Sequence, residues 1–122
     1  MDFISDHTCI KVTNLEKSKT FYHEALGFVE KVLRQHTPEV TSVFVKAPND
    51  GMQLQLLYIP GCRPDHLAYG HFGMRTEDIE ASYAYHQAMG CTTTGIQEQP
   101  HQFGYFIQDP DGYETEIIQE KV

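Results

Sequence analysis

Asp109-Pro110-Asp111-Gly112-Tyr113-Glu114-Thr115-Glu116-Ile117 sets the frame for the whole chain. Asp-Pro-Asp-Gly is a turn signal: proline presets φ, aspartate caps its own turn, and glycine accepts positive φ. A strand with period two follows. Tyr113, Thr115 and Ile117 share one face, and Glu114, Glu116 and Ile118 share the other. Glu116 thus stands mid-strand among half-buried neighbours, where a carboxylate needs a partner such as a metal ion.

Upstream, the chain repeats this grammar. Residues 6–12 read as a strand, with Ile10 and Val12 on one face and His7, Cys9 and Lys11 on the other. Thr13 or Asn14 caps a helix over about 15–26, striped by Leu15, Phe21, Tyr22, Ala25 and Leu26 and closed by Gly27. Strands follow at 28–35 and 40–47, then a hairpin turn at Pro48-Asn49-Asp50-Gly51 and a strand from Met52 to Ile59. A Pro/Gly-rich connection covers 60–66. The second half runs His71–Arg75 as strand, Thr76-Glu77-Asp78 into a helix through Met89, and strands at 91–97 and 102–108 before the Asp109 turn.

The order is βαβββ twice, with modules at about 1–60 and 66–122 of a single domain spanning 1–122. A shift of 64 carries His7 onto His71, Ser18 onto Ser82 and Phe21 onto Tyr85; a shift of 61 carries Gly51 onto Gly112 and Gln55 onto Glu116. Each half offers one histidine on its first strand and one oxygen ligand on its last. The apolar residues alternate away from them, so a helix covers the apolar face and His7, Gln55, His71 and Glu116 lie on the opposite, concave face. Two imidazoles, an amide oxygen and a carboxylate suit one divalent first-row ion: nickel, cobalt, zinc, manganese or iron. The competing reading is a merely solvated polar face.

Composition narrows the function. Nine basic and 17 acidic residues give a net charge of −8, a poor footprint for nucleic acid or an anionic membrane surface. No apolar run is long enough to span a bilayer. The start, Met1-Asp2-Phe3-Ile4-Ser5-Asp6, lacks the features of a signal peptide. Cys9, Cys62 and Cys91 are odd in number and form no CxxC pair, which suits a reduced, cytoplasmic protein.

The chain resembles the glyoxalase I, or vicinal oxygen chelate, superfamily over essentially its whole length. His7-Thr8, Phe21-Tyr22, Leu26-Gly27-Phe28, Tyr69-Gly70-His71 and Asp109-Pro110-Asp111-Gly112-Tyr113 with Glu116 carry the likeness. Within that superfamily it is most similar to the short bacterial lactoylglutathione lyase-like proteins. The resemblance implies an α+β fold of two βαβββ modules forming a cup-shaped mixed sheet, a homodimer, and metal ligands at His7, Gln55, His71 and Glu116. It implies a metal-dependent lyase or isomerase acting on a small carbonyl or hemithioacetal substrate, with Glu116 as the catalytic base and nickel or cobalt as the ion. Two departures stand out. The short bacterial glyoxalases usually carry Glu where Gln55 stands, and amide oxygen binds a cation but takes no proton. Their Arg and Asn positions for glutathione are Lys11 and Ile59 here.

Other members leave alternatives open. Methylmalonyl-CoA epimerase-like proteins share the His, Gln, His, Glu set but need a second carboxylate base, for which only Glu39 offers itself. His7, His71 and Glu116 alone match the metal set of extradiol dioxygenases and of thiol transferases. Bleomycin-resistance proteins bind a small molecule without chemistry. Among further residues, Cys9, Lys11 and Arg75 are candidate substrate contacts, with a salt bridge as the competing role for Arg75. His66 is an alternative ligand, His101 and Phe103 are candidates to line the cup with loop packing as the competing role, and His23 and His86 are expected on the surface of their helices.

Overall fold

A computed structural model describes residues 2–122. The chain divides into two compact units, Met1–Asp65 and His66–Val122. The first holds β1 (His7–Lys11), α1 (Leu15–Leu26), β2 (Val29–Gln35), β3 (Thr41–Lys46) and β4 (Gln53–Tyr58). The second holds β5 (His71–Arg75), α2 (Ile79–Ala88), β6 (Gln97–Glu98), β7 (Gln102–Gln108) and β8 (Glu114–Glu120). Each unit is therefore βαβββ, and each makes one four-stranded sheet, ordered β1-β4-β3-β2 and β5-β8-β7-β6. In each, the first strand runs parallel to the last and the others pair antiparallel.

Local chemistry starts and stops these elements. Asn14, not Thr13, caps α1: its side-chain oxygen accepts from Lys17 N at 3.0 Å. Gly27 closes the helix in the left-handed region at φ 74°, and Phe28 N reaches back to Tyr22 O at 3.1 Å. Asp78 caps α2 in the same way, accepting from Ala81 N at 3.0 Å. Between β3 and β4, Asn49 and Asp50 both take positive φ, as a tight two-residue hairpin turn requires.

The apolar faces pack as their alternation demands. In the first unit Ile10, Val43, Val45, Leu54 and Leu56 are at most 2% exposed, and Tyr22 and Phe28 join them from α1 and the turn after it. A fully buried aliphatic side chain of this size contributes about 1.5–3 kcal/mol. In the second unit the core is Ile79, Tyr105, Ile107, Tyr113 and Ile117, with buried Thr115 beside them.

Two expectations need correction. The strand expected over 91–97 is regular only at Gln97–Glu98, with an isolated bridge from Thr93 to Ile107. The Thr94 hydroxyl takes the Phe106 N–H at 2.9 Å, a donor that a regular ladder would have used. His86, expected at the surface, is 3% exposed. Its Nδ1 donates to Tyr105 Oη at 2.7 Å, Tyr105 donates to Ser82 Oγ at 3.0 Å, and Ser82 donates to Ile79 O at 3.1 Å. Burial of this chain pushes the Tyr105 phenol pKa up. Helical periodicity alone would have placed an apolar residue at 86; a histidine is tolerated because a phenol reaches it. His23, by contrast, is exposed and bonds Phe28 O at 2.9 Å. Replacing Tyr105→Phe removes the middle of the buried chain, so urea unfolding is expected to show a loss of about 1–3 kcal/mol.

Candidate metal centre

Parallel pairing places the candidate ligands. In the first unit the register sets His7 beside Gln53 and Cys9 beside Gln55; in the second it sets His71 beside Glu114 and Gly73 beside Glu116. His7 and Gln55 therefore lie on one sheet face two residues out of step, and His71 and Glu116 repeat that offset. The opposite face of the same strands is the core: Leu54 and Leu56 are fully buried on β4, and Thr115 and Ile117 nearly so on β8.

The buried carboxylate of Asp109 fixes the phase of β8. Its Oδ1 accepts from Asp111 N at 2.8 Å and Tyr113 N at 2.9 Å, and Asp109 N donates to Tyr113 O at 2.8 Å. Gly112 sits at φ +89°, and a Cβ there would come within 3.3 Å of the His66 ring. His66, the alternative ligand, thus packs on the turn, edge-on to Tyr113.

In the second unit His71 Nε2 lies 3.3 Å from Glu116 Oε1. Gln102 Nε2 reaches the other oxygen of Glu116 at 3.5 Å. A cavity of about 240 Å³ opens at Glu116, walled by Thr94, Gln97, Gln99 and Phe106. Its wall is aromatic, hydroxyl and neutral amide, and Glu116 is its one charged group.

In the first unit His7 Nδ1 bonds Asp6 Oδ2 at 2.5 Å, which leaves Nε2 as the nitrogen available for a ligand. Gln55 Nε2 donates to Ser42 Oγ at 2.7 Å, which leaves Oε1 as its outward atom. Both histidines are held by an aromatic edge. The His7 ring meets Phe44 at 5.3 Å between centroids, and His71 meets Phe106 at 5.0 Å, each nearly perpendicular. Phe44 pairs with Gln55 across β3 and β4, as Phe106 pairs with Glu116 across β7 and β8.

Sequence reasoning missed Asp6, Ser42, Phe44, Phe106 and Gln102. The two phenylalanines had a signal, since they occupy matching places in the repeat. Asp6, Ser42 and Gln102 had none: Ser42 and Gln102 come within reach only when the strands pack, and Asp6, though next to His7 in sequence, meets its ring only through the rotamers the two side chains adopt.

The remaining candidates sit as follows. Cys9 is half-buried beside Gln55; burial raises its thiol pKa and the Lys11 charge only partly offsets this. Lys11 is exposed at the end of β1. Arg75 donates to Glu120 at 2.7 Å, an exposed ion pair of little energetic weight. Phe103 lies under the Lys121 ammonium, 4.9 Å from its ring centroid, and His101 O accepts from Lys121 N at 2.9 Å. Within either unit, no group of three or more His, Cys, Asp or Glu gathers where it could hold a metal among the described residues. Each unit places one imidazole and one oxygen-bearing side chain, His7 with Gln55 and His71 with Glu116, on the same sheet face. No helix among the described residues is long and apolar enough to cross a membrane.

Comparison with known proteins places this geometry. A profile of the Glyoxalase/Bleomycin resistance protein/Dioxygenase superfamily matches residues 4–117. The chain belongs to that superfamily. Lactoylglutathione lyase of Haemophilus influenzae is 32% identical over 126 residues, covering 94% of this chain and 91% of that one. The uncharacterised protein YwbC of Bacillus subtilis is 32% identical over 120 residues, covering 93% and 95%. Among solved structures, the trypanothione-dependent glyoxalase I of Leishmania major superposes with a TM-score of 0.81 at 28% identity, covering 97% of this chain and 87% of that one. The paired βαβββ units are thus the vicinal oxygen chelate fold of the glyoxalase superfamily.

The raised pKa of Cys9 keeps the thiol protonated at neutral pH. Iodoacetamide labelling of Cys9, followed by peptide mass spectrometry, is expected to be slow at about pH 7 and to accelerate as pH rises through the thiol range. Rapid labelling at neutral pH would show a thiolate instead.

Proposed function

We propose that this protein is a metal-dependent lyase or isomerase of the glyoxalase type, acting on a small carbonyl or hemithioacetal substrate. The observation that carries the reading is the half-buried Glu116 carboxylate, 3.3 Å from His71 Nε2 and opening on a cavity of its own unit. Kinship with lactoylglutathione lyases at about one-third identity supports the same reaction class.

The donor atoms fit a divalent first-row ion. His7 offers Nε2, because Asp6 holds Nδ1; Gln55 offers Oε1, because Ser42 holds Nε2. His71 Nε2 and Glu116 Oε1 form the other pair. We propose these four as the ligands of one nickel, cobalt, zinc, manganese or iron ion, drawn from one chain or from two copies in a homodimer. Such an ion would polarise the substrate carbonyl and stabilise negative charge developing on its oxygen.

Glu116 performs the proton transfer. Its carboxylate takes the hydrogen from the thiol-bearing carbon of a hemithioacetal and returns it to the neighbouring carbonyl carbon, giving a 2-hydroxy thioester. Hydroxyl hydrogen passes between the two oxygens, so no atom is gained or lost. Gln55 cannot share this role, because an amide takes no proton near neutral pH. Gln102 holds the second oxygen of Glu116 and keeps the carboxylate oriented.

The thiol partner need not be glutathione. Lys11 gives a point charge without the fork of an arginine, and Ile59 has no side-chain donor. The Leishmania relative is itself trypanothione-dependent. Lys11, Cys9 and Arg75 are the proposed substrate contacts, with Arg75 exchanging its Glu120 partner for a substrate anion.

An assay with methylglyoxal and a panel of thiols, run with added nickel, cobalt or zinc, tests the reading. Glu116→Gln is expected to lower kcat by about 10²–10⁴ while metal remains bound by elemental analysis. Full activity in that variant would remove Glu116 as the base. Bound metal with no activity toward any hemithioacetal would move the reaction to another class of this superfamily.

A further inference from the structure

Building on the proposed ligand role of Gln55, one requirement of an amide ligand becomes testable. A carboxylate presents an oxygen whichever way it is turned. An amide has two ends of similar size and opposite sense, and only one has a lone pair for a cation. Something must hold that end outward.

The first unit contains such a device. Ser42 is 0% exposed, and its Oγ accepts the Gln55 Nε2–H at 2.7 Å. Its own hydrogen then needs an acceptor, and His36 Nε2 lies 2.8 Å away. In that direction His36 Nε2 is the acceptor, in the tautomer that carries its hydrogen on Nδ1. The β2–β3 hairpin fixes the histidine: His36 N donates to Val40 O at 2.8 Å, and Val40 N donates to Thr37 Oγ1 at 3.1 Å. The direction of donation runs Gln55 to Ser42 to His36. The reverse direction would turn the amide NH₂ outward and leave no lone pair for an ion.

The second unit supplies an internal comparison. Ser42 pairs with Leu57 as Gly104 pairs with Ile118, so Gly104 occupies the matching place in the repeat. A Cβ on Gly104 would stand 3.6 Å from Glu116 Oε2. Where the ligand is a carboxylate, the orienting hydroxyl is absent; where it is an amide, the hydroxyl and its histidine are present.

We infer that Ser42 and His36 are positioning residues that hold the Gln55 amide with its oxygen outward, and so adapt this half of the site to a neutral ligand. Neither touches the ion or the substrate.

Calorimetric titration of the full chain with Co²⁺ tests this. Ser42→Ala is expected to weaken Co²⁺ binding about tenfold or more, within the range for partners that orient a ligand. Ser42→Thr keeps the hydroxyl and should bind within about threefold of the unaltered chain. In a Gln55→Glu background the same Ser42→Ala change should cost less than about twofold, because either carboxylate oxygen serves. His36→Leu removes the acceptor on an exposed hairpin while leaving the buried serine itself in place. It should weaken Co²⁺ binding about three- to tenfold, and it decides the matter if Ser42→Ala does not fold. Equal losses in both backgrounds, or no loss, would overturn the inference and leave the metal reading standing. Failure of both the unaltered chain and Gln55→Glu to take up Co²⁺ would overturn the metal reading and this inference with it.

Discussion

A buried carboxylate at a turn governs the register of the last strand. Asp109 is 6% exposed and binds two backbone N–H groups, of Asp111 and Tyr113, in the turn that leads into β8. Were β8 to slip by one residue, Glu116 would enter the core and Thr115 and Ile117 would leave it. Hydrophobic burial on one face and a clamped turn at the strand's start thus enforce the same phase. The position of the catalytic candidate is a by-product of that agreement.

The two units show what duplication preserves and what it frees. Both keep a histidine on the first strand, an oxygen-bearing side chain two residues out of step on the last, and a phenylalanine edge against the imidazole. These follow from strand geometry and recur together. The groups that finish each pair differ. Asp6 and Ser42 serve the first, and Gln102 serves the second. The buried polar groups diverge as well: the first unit buries Ser18 and Ser42, while the second buries His86 and Tyr105 in a chain with Ser82 whose donors and acceptors match.

Most of the fold was legible because its signals are local. Asn14 and Asp78 each sit where a cap is needed, Gly27 and Gly112 where φ turns positive, and period-two alternation names the core face of β1, β4 and β8. Legibility failed where a side chain competed with the backbone or where a partner lay far along the chain. Thr94 diverts a ladder donor and shortens the strand expected at 91–97. His86 reads as polar, yet it is buried because Tyr105, 19 residues away, accepts from it.

By itself the sequence determined the duplicated order of strands and helices, the superfamily, and which residues share a face with His7, Gln55, His71 and Glu116. Those properties depend on spacing, which the chain carries in one dimension. Tertiary structure decided which nitrogen of His7 stays available, which end of Gln55 turns outward, and that Arg75 pairs with Glu120. The partners of Gln55 and Arg75 meet only when strands pack, and although Asp6 adjoins His7 in sequence, no pattern of spacing encodes the rotamers that join them.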